Sequence, residues 1–413
     1  MFAERDIAYV ERDLRQPGVA EEAMARYGVR VAPITVVGTR FFYGAFLDQR
    51  PRLAEALDFT ARIAQRGRGA SVMSKNVTIR SADTEIAVPS GQTILQTALD
   101  AGINYPHGCR SGRCGACKTR LVSGDVELLE HTEFALSPDE RAHGLILACR
   151  ALPHTDACVA WLGGDTETAD HPRRTLRCRV ARLEDATRDI KRVVLHVIEG
   201  PPMDYSAGQY AQVTFPGAPT RDYSMANPAD SDDLEFHVRR IAGGAASGRV
   251  ATALVPGDEV RVEGPYGASF LREKHAGPIV AIAGGSGLAP IKSIVETALA
   301  RGLRQPIHIY HGVRAPRDLY LDARFEALAE RHANVAFTPV LSEATATGAW
   351  RTGWVTDAVG QDLGDLDGWK AYVAGPPAMV DAAQETLTQR GLGANDLHAD
   401  VFFTPETGAA AEA

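Results

Sequence analysis

Three cysteines crowd one short run, Cys109-Arg-Ser-Gly-Arg-Cys114-Gly-Ala-Cys117, and a fourth follows at Cys149. The spacing C-x4-C-x2-C with a distant fourth thiolate is the one that wraps a plant-type [2Fe–2S] cluster, since two irons need four converging thiolates. Gly108, Gly112 and Gly115 sit among these residues, where a backbone carrying three ligands must curl tightly. A structural zinc site usually pairs two C-x2-C units and this chain has one; a disulfide framework does not suit a long chain with six cysteines. Cys109, Cys114, Cys117 and Cys149 are therefore the candidate metal ligands, and they make the chain an electron carrier. Cys158 and Cys178 each fall inside an apparent strand, where a buried structural thiol is expected.

A length of 413 residues allows roughly three domains, each able to bury its own core. With 44 Lys and Arg against 52 Asp and Glu the net charge is −8, which argues against nucleic acid or an anionic membrane as the main partner. The longest uncharged apolar stretch, 276–291, is broken by glycine and proline and is shorter than the ~20 residues of a membrane span. The chain opens Met-Phe-Ala-Glu-Arg-Asp, with acidic residues and no apolar core, so a signal peptide is not expected and a soluble cytoplasmic protein is.

Punctuation and periodicity divide the chain into four segments. Residues 1–66 read as strand 7–10, helix 19–27, strand 34–37, Gly38, a strand near 41–43 and a helix over about 51–63, followed by a linker at 67–74. Residues 75–165 open with alternating runs at 77–79 and 86–88. A helix at 93–101 follows, with Ile94, Leu95, Ala98 and Leu99 on one face and Gly102 as its stop. Residues 173–272 show short alternating strands at 192–197, 210–215, 234–239 and 259–263 between turn residues, the pattern of an antiparallel barrel. Residues 277–404 alternate strands with helices, which predicts βαβ units and a parallel sheet covered on both faces.

Two of these segments carry further chemistry. Arg221-Asp-Tyr223-Ser224 offers a cation for a pyrophosphate, a ring to stack on an isoalloxazine and a hydroxyl for the ring nitrogen where hydride lands. Gly244-Ala-Ala-Ser247 precedes a predicted helix at 248–254, and a glycine-permitted helix amino terminus is an anion site. In the last segment a strand at 279–283 runs into Gly284-Gly285-Ser286-Gly287-Leu-Ala-Pro290, and one at 371–374 into Gly375-Pro376-Pro377-Ala-Met379. Both turns belong to the carboxyl edge of a parallel sheet, where such sheets bind ligands. The first string is not the G-x-G-x-x-G fingerprint, so alone it is a weak dinucleotide signal, and the second turn strengthens it.

Together these marks, with Gly264-Pro-Tyr-Gly267 and the string Tyr310-His-Gly-Val-Arg-x-x-x-Asp318-Leu-Tyr320, make residues 75–404 resemble the ferredoxin-plus-flavin reductases that feed bacterial multicomponent oxygenases, a branch of the ferredoxin-NADP reductase superfamily. The resemblance implies a multidomain α+β and α/β chain: a β-grasp [2Fe–2S] ferredoxin, an antiparallel barrel that binds FAD, and a parallel-sheet domain that binds NADH. It implies that Arg221 contacts the pyrophosphate, Tyr223 the flavin and ribityl chain, Ser224 the flavin N5 region and Ser247 the diphosphate. The cofactor-binding set also takes in His237, Val238, Arg239, Gly244 and Ala246, together with Gly285, Ser286, Gly287, Gly375, Pro376 and Met379. Phe402 stands where the family has its carboxy-terminal aromatic, and Ser224, Tyr223 and Phe402 form the candidate catalytic set. Where many relatives carry a cysteine before the Gly-Pro-Pro turn this chain has Ala374, so a thiol there is not required.

Ser342-Glu343 follows the predicted strand ending at Leu341, where NADPH users tend to place a cation; a carboxylate accepts from a ribose diol and repels a 2′-phosphate, which favours NADH. The expected partner is a terminal oxygenase or hydroxylase, the alternative being a general NADH:acceptor reductase serving a dehydratase or a soluble cytochrome. A third reading is a redox-regulated adaptor that recruits a partner through residues 1–66. Arg110, Arg113 and Lys118 put positive charge around the cysteines with no acid in the loop, a rim that could steer an acidic partner. In residues 1–66, the string Tyr27-Gly-Val-Arg-Val-Ala-Pro33-Ile-Thr-Val-Val-Gly38 resembles the cis-proline strand of glutaredoxins, and the flanking helices agree. With no cysteine before Cys109 this partial thioredoxin-like segment lacks the Cys-x-x-Cys loop, so thiol chemistry is excluded there, and Met73 could be a second start.

Overall fold

The computed structural model describes residues 74–402, apart from 104, 109, 111, 113, 114, 134, 163–168, 170, 344–349 and 394, together with the backbone of 34–37 and 40–43. The chain divides into two units, Met1–Met73 and Ser74–Ala413. In the first, strands Ile34–Val37 and Arg40–Tyr43 pair antiparallel with Ile34 opposite Tyr43, one residue longer at the second strand than its pattern predicts. The other elements expected over 1–66, and Pro33, lie outside the described residues.

The second unit begins with a sheet whose strands run in the order Thr84–Val88, Lys75–Ile79, Ala157–Trp161, Lys118–Ser123, Leu145–Leu147. Period-2 alternation turns Val77, Ile79, Ile86 and Val88 inward, and the helix Ile94–Asp100 lays Ile94, Leu95, Ala98 and Leu99 on the same core. The Thr93 hydroxyl accepts from Gln96 N and caps that helix, which is one residue shorter at each end than its pattern predicts. Burial of each such Ile or Leu contributes about 1.5–3 kcal/mol to this core.

The middle sheet is antiparallel throughout, in the order Arg221–Ser224, Tyr210–Thr214, Glu259–Tyr266, Arg174–Asp185, Ile190–Glu199, Asp233–Arg239. A bridge from Met225 to Phe236 and a bond from Ala226 N to Glu235 O (2.8 Å) join its two edges into a near-barrel. The first long strand buries Leu176, Cys178 and Val180 and turns Arg177 and Arg179 to solvent. Cys178 is the buried thiol expected; Cys158 is only half-buried.

The last sheet runs Arg351–Thr352, Val335–Leu341, Ile307–Val313, Ile279–Gly284, Lys370–Gly375, Leu397–Val401, all parallel. Its first strand in sequence, Ile279–Gly284, is central and buried over its whole length because helices cover both faces. Ile279, Ala281 and Ala283 face helices Leu288–Ala300 and Asp322–Arg331, while Val280 and Ile282 face Val355–Asp362 and Pro377–Gln389. The connections go one way from this strand to Ile307–Val313 and the other way to Lys370–Gly375. That reversal opens a crevice at the carboxyl ends of adjacent strands.

Candidate functional site

Both glycine turns lie at this crevice. A Cβ on Gly287 would fall 2.0 Å from Ala374 O, so only glycine lets the first turn pack against the second. Ala374 thus contributes its carbonyl to the close approach. Met379 reaches back over the first turn, 2.6 Å from where a Cβ on Gly284 would stand. The structure brings Gly285, Ser286 and Gly287 together with Gly375, Pro376 and Met379, which the sequence could only suspect.

The barrel presents its motif to the same place. Ser224, buried at the end of strand Arg221–Ser224, donates its hydroxyl to Asp400 Oδ2 at 2.6 Å, and Phe402 N donates to Gly375 O at 2.8 Å. Asp400 escaped the sequence reading. The available signal was period-2 geometry: residues two apart on a strand share a face, so the acid belongs with Phe402. Tyr223 meets Phe215 edge-on at 5.9 Å, and burial pushes its phenol up to about 12, so it stays protonated. Arg221 is exposed and donates to Thr220 O at 2.8 Å.

The helix expected to hold an anion spans Ala245–Thr252, starting three residues earlier than predicted, because Gly244 itself is the N-cap. Ser247 therefore lies in the first turn, where its hydroxyl accepts from Ile241 N (3.1 Å). No side chain caps the helix, which leaves first-turn amides near Ala246 for an anion. His237 and Val238 are placed differently from a simple contact set. Val238 packs in the barrel core, and the fully buried His237 side chain engages Glu235 and Tyr320. Their strand pairs with Ile190–Glu199, Arg192 opposite His237 and Lys191 opposite Val238, so both side chains are committed to protein partners. Arg239 donates to Asp189 (3.0 Å) and places its guanidinium 3.3 Å from where a Cβ on Gly285 would stand, beside the nucleotide turn.

In the cysteine loop, Cys117 and Cys149 are buried, and Ala148 N donates to Cys117 O at 3.1 Å. Cys109 and Cys114 lie outside the described residues. Gly112 has φ +78°, and a Cβ there would strike the Arg150 side chain at 2.8 Å, so the curl expected for a cluster loop is present. The rim of free positive charge is not what the described residues show. Arg110 pairs with Asp222 of the flavin motif at 3.3 Å and Lys118 with Glu140 at 2.6 Å, acids supplied from other segments; Arg113 lies outside the described residues. Glu343 is exposed, its N donates to Arg314 O at 2.8 Å, and its carboxylate stands 3.8 Å from Arg314 Nε, a cation the sequence argument did not place there.

Family models match all three modules: a 2Fe-2S iron-sulfur cluster binding domain over 77–154, an oxidoreductase FAD-binding domain over 177–270 and an oxidoreductase NAD-binding domain over 281–385. The chain is thus an electron-transfer oxidoreductase that uses a [2Fe–2S] cluster, FAD and a nicotinamide dinucleotide. The reductase component of phenol 2-monooxygenase from Pseudomonas sp. (strain CF600) is 40% identical over 343 residues, covering 82% of this chain and 97% of the relative. The reductase subunit of an aromatic O-demethylase from Amycolatopsis sp. is 41% identical over 318 residues, covering 76% and 94%. Among solved structures, a cytochrome P-450 reductase from Amycolatopsis superposes with TM-score 0.66 at 39% identity, covering 80% of this chain and 99% of that one. A ferredoxin reductase in carbazole 1,9a-dioxygenase superposes with TM-score 0.59 at 26% identity, covering 80% and 98%. This chain belongs to the family of flavin and iron–sulfur reductase components of oxygenase systems.

Proposed function

We propose that the chain takes electrons from NADH and delivers them in the cytoplasm to a terminal oxygenase or hydroxylase component. One observation carries the reading: the Ser224–Asp400 bond and the two interlocked glycine turns gather the flavin motif, the last strand and the nucleotide crevice at one point. Bound FAD would convert a two-electron donor into single-electron transfers, and the cluster would relay them to the partner. The residues present fit that use. Buried Cys117 and Cys149, with Cys109 and Cys114, would hold the cluster. Arg221 and the uncapped helix Ala245–Thr252 would hold the FAD pyrophosphate. Ser224 keeps its proton on Oγ and directs it at Asp400, which orients the hydroxyl beside Tyr223. The Phe402 main chain is pinned to Gly375, so its ring belongs to the carboxyl edge of the nucleotide sheet. The domain limits supported by this reading are 75–165, 173–272 and 277–404, after a partial glutaredoxin-like segment at 1–66.

Cys114→Ser tests the order of transfer: NADH-dependent ferricyanide reduction should persist while cytochrome c reduction is lost, and equal loss of both refutes it. The preference for NADH rests on Glu343, whose carboxylate repels a 2′-phosphate and partly neutralises Arg314. Glu343→Ala should raise kcat/KM for NADPH about two- to fivefold, the effect of at most about 1 kcal/mol from a charge this exposed. Unchanged NADPH use would remove this residue from the specificity argument.

A further inference from the structure

The segment from Tyr310 to Tyr320 carries side chains that leave the nucleotide lobe and reach the barrel. Asp318 Oδ1 stands 3.3 Å from Nε of Arg188, on the turn between barrel strands Arg174–Asp185 and Ile190–Glu199. Tyr320, 3% exposed, puts its hydroxyl 2.9 Å from Nδ1 of His237. His237 Nε2 lies 2.9 Å from Glu235 Oε1; a carboxylate only accepts, so Nε2 carries the proton and the Tyr320 hydroxyl donates to Nδ1.

On its other side the Tyr320 ring meets His311 edge-on at 5.7 Å. His311 is completely buried, and its Nε2 donates to Gly285 O at 3.2 Å. Its Nδ1 has no partner among the described residues, so the hydrogen bond kept by this costly buried imidazole is the one to the nucleotide turn. A second route from Glu235 reaches the same turn through Lys292 (3.1 Å), which lies on helix Leu288–Ala300 directly after it. A purely apolar joint would need none of these groups.

We propose that Tyr320 and His311 are positioning residues that fix the 284–287 turn against barrel strand Asp233–Arg239, so that affinity for the nicotinamide dinucleotide depends on this buried chain as well as on the glycines. The inference rests on the reading of that turn as part of the dinucleotide site. Its test uses the full chain loaded with FAD and iron, with NADH as the probe. Tyr320→Phe keeps the ring and deletes the hydroxyl; it should raise KM for NADH in ferricyanide reduction about three- to tenfold, the size of one hydrogen bond, with kcat within about twofold. Amide hydrogen exchange over 285–288 without NADH should rise severalfold, with FAD content and the cluster spectrum unchanged. His311→Gln, which retains an N–H donor, should stay near wild type in both readouts, and His311→Leu should match or exceed Tyr320→Phe. Unchanged KM and exchange in Tyr320→Phe, even with a lowered melting temperature, would make these residues mere packing and overturn the proposal. Gly287→Ala separates the two ideas: if it leaves KM for NADH unchanged, the turn is not the dinucleotide site and the underlying reading fails instead.

Discussion

The barrel meets its two neighbours in opposite ways. Toward the nucleotide lobe the joint is buried: Lys292, 3% exposed, bonds Glu235 Oε2 (3.1 Å) and Ala226 O (3.0 Å), and Ser293 donates to Asn227 O at 2.7 Å. Toward the cysteine module it is polar, with an exposed ion pair at its margin. Ala268 N donates to His107 O (2.8 Å), Tyr210 to Gly108 O (3.2 Å), Arg173 to Leu99 O, and the Arg110–Asp222 pair is 25% and 48% exposed. A cleft of about 420 Å³, lined by Tyr105, Lys118, Arg272 and Leu392 among others, runs between that module and the rest. Hydride donation tolerates little displacement of the reacting atoms, which favours a rigid, dehydrated joint. Single-electron exchange has no such contact requirement, and a module that must also meet an outside partner is served by a lighter hold.

The largest effect should come from the buried joint. Lys292→Met removes a buried ammonium shared by Glu235 and Glu296, each of which keeps one arginine, Arg192 and Arg324, and should cost about 1.5–3 kcal/mol of stability in urea unfolding. Ferricyanide and cytochrome c reduction should then fall together. A loss below about 1 kcal/mol would show that the pair carries no more than a surface bridge.

Acid should attack the same joint. Burial holds the His311 imidazole neutral, pushing it down to about 4 from the usual 6.5, and lowers His237 in the same direction. Between those values the unfolded chain binds a proton that the folded chain refuses. Stability therefore falls as pH drops through the window, by about 1.4 kcal/mol per pH unit for His311 alone. His311→Gln should flatten the slope, measured as unfolding midpoints from pH 7 to 4.5; an unaltered slope would assign the acid sensitivity elsewhere.

The smallest effect belongs to the exposed joint. Arg110→Ala should cost less than about 1 kcal/mol of stability. It should still lower the ratio of cytochrome c to ferricyanide reduction, as should raising salt in the wild type, since a half-exposed pair is screened. A ratio indifferent to both would mean that main-chain bonds alone hold the cysteine module.

Local patterns were legible because they depend on neighbours in sequence. Helix Ile94–Asp100 shows its buried face, its Thr93 cap and its stop in consecutive letters. The cysteine spacing and the glycine runs announce their chemistry in the same way. Helix Ala245–Thr252 was misplaced by three residues because a glycine N-cap carries no side-chain signal. Arg110 and Lys118 read as free charge because Asp222 and Glu140 are 112 and 22 residues away.

By itself the sequence determined the kinds of module and their cofactor motifs, since period, capping and ligand spacing act over a few residues. The tertiary structure alone decided which polar groups meet: Ser224 with Asp400, 176 residues apart, and His237 with Tyr320 rather than with open solvent. Such pairs form where chain crossovers bring distant strand ends together, and burial then makes each unsatisfied group too costly to leave alone.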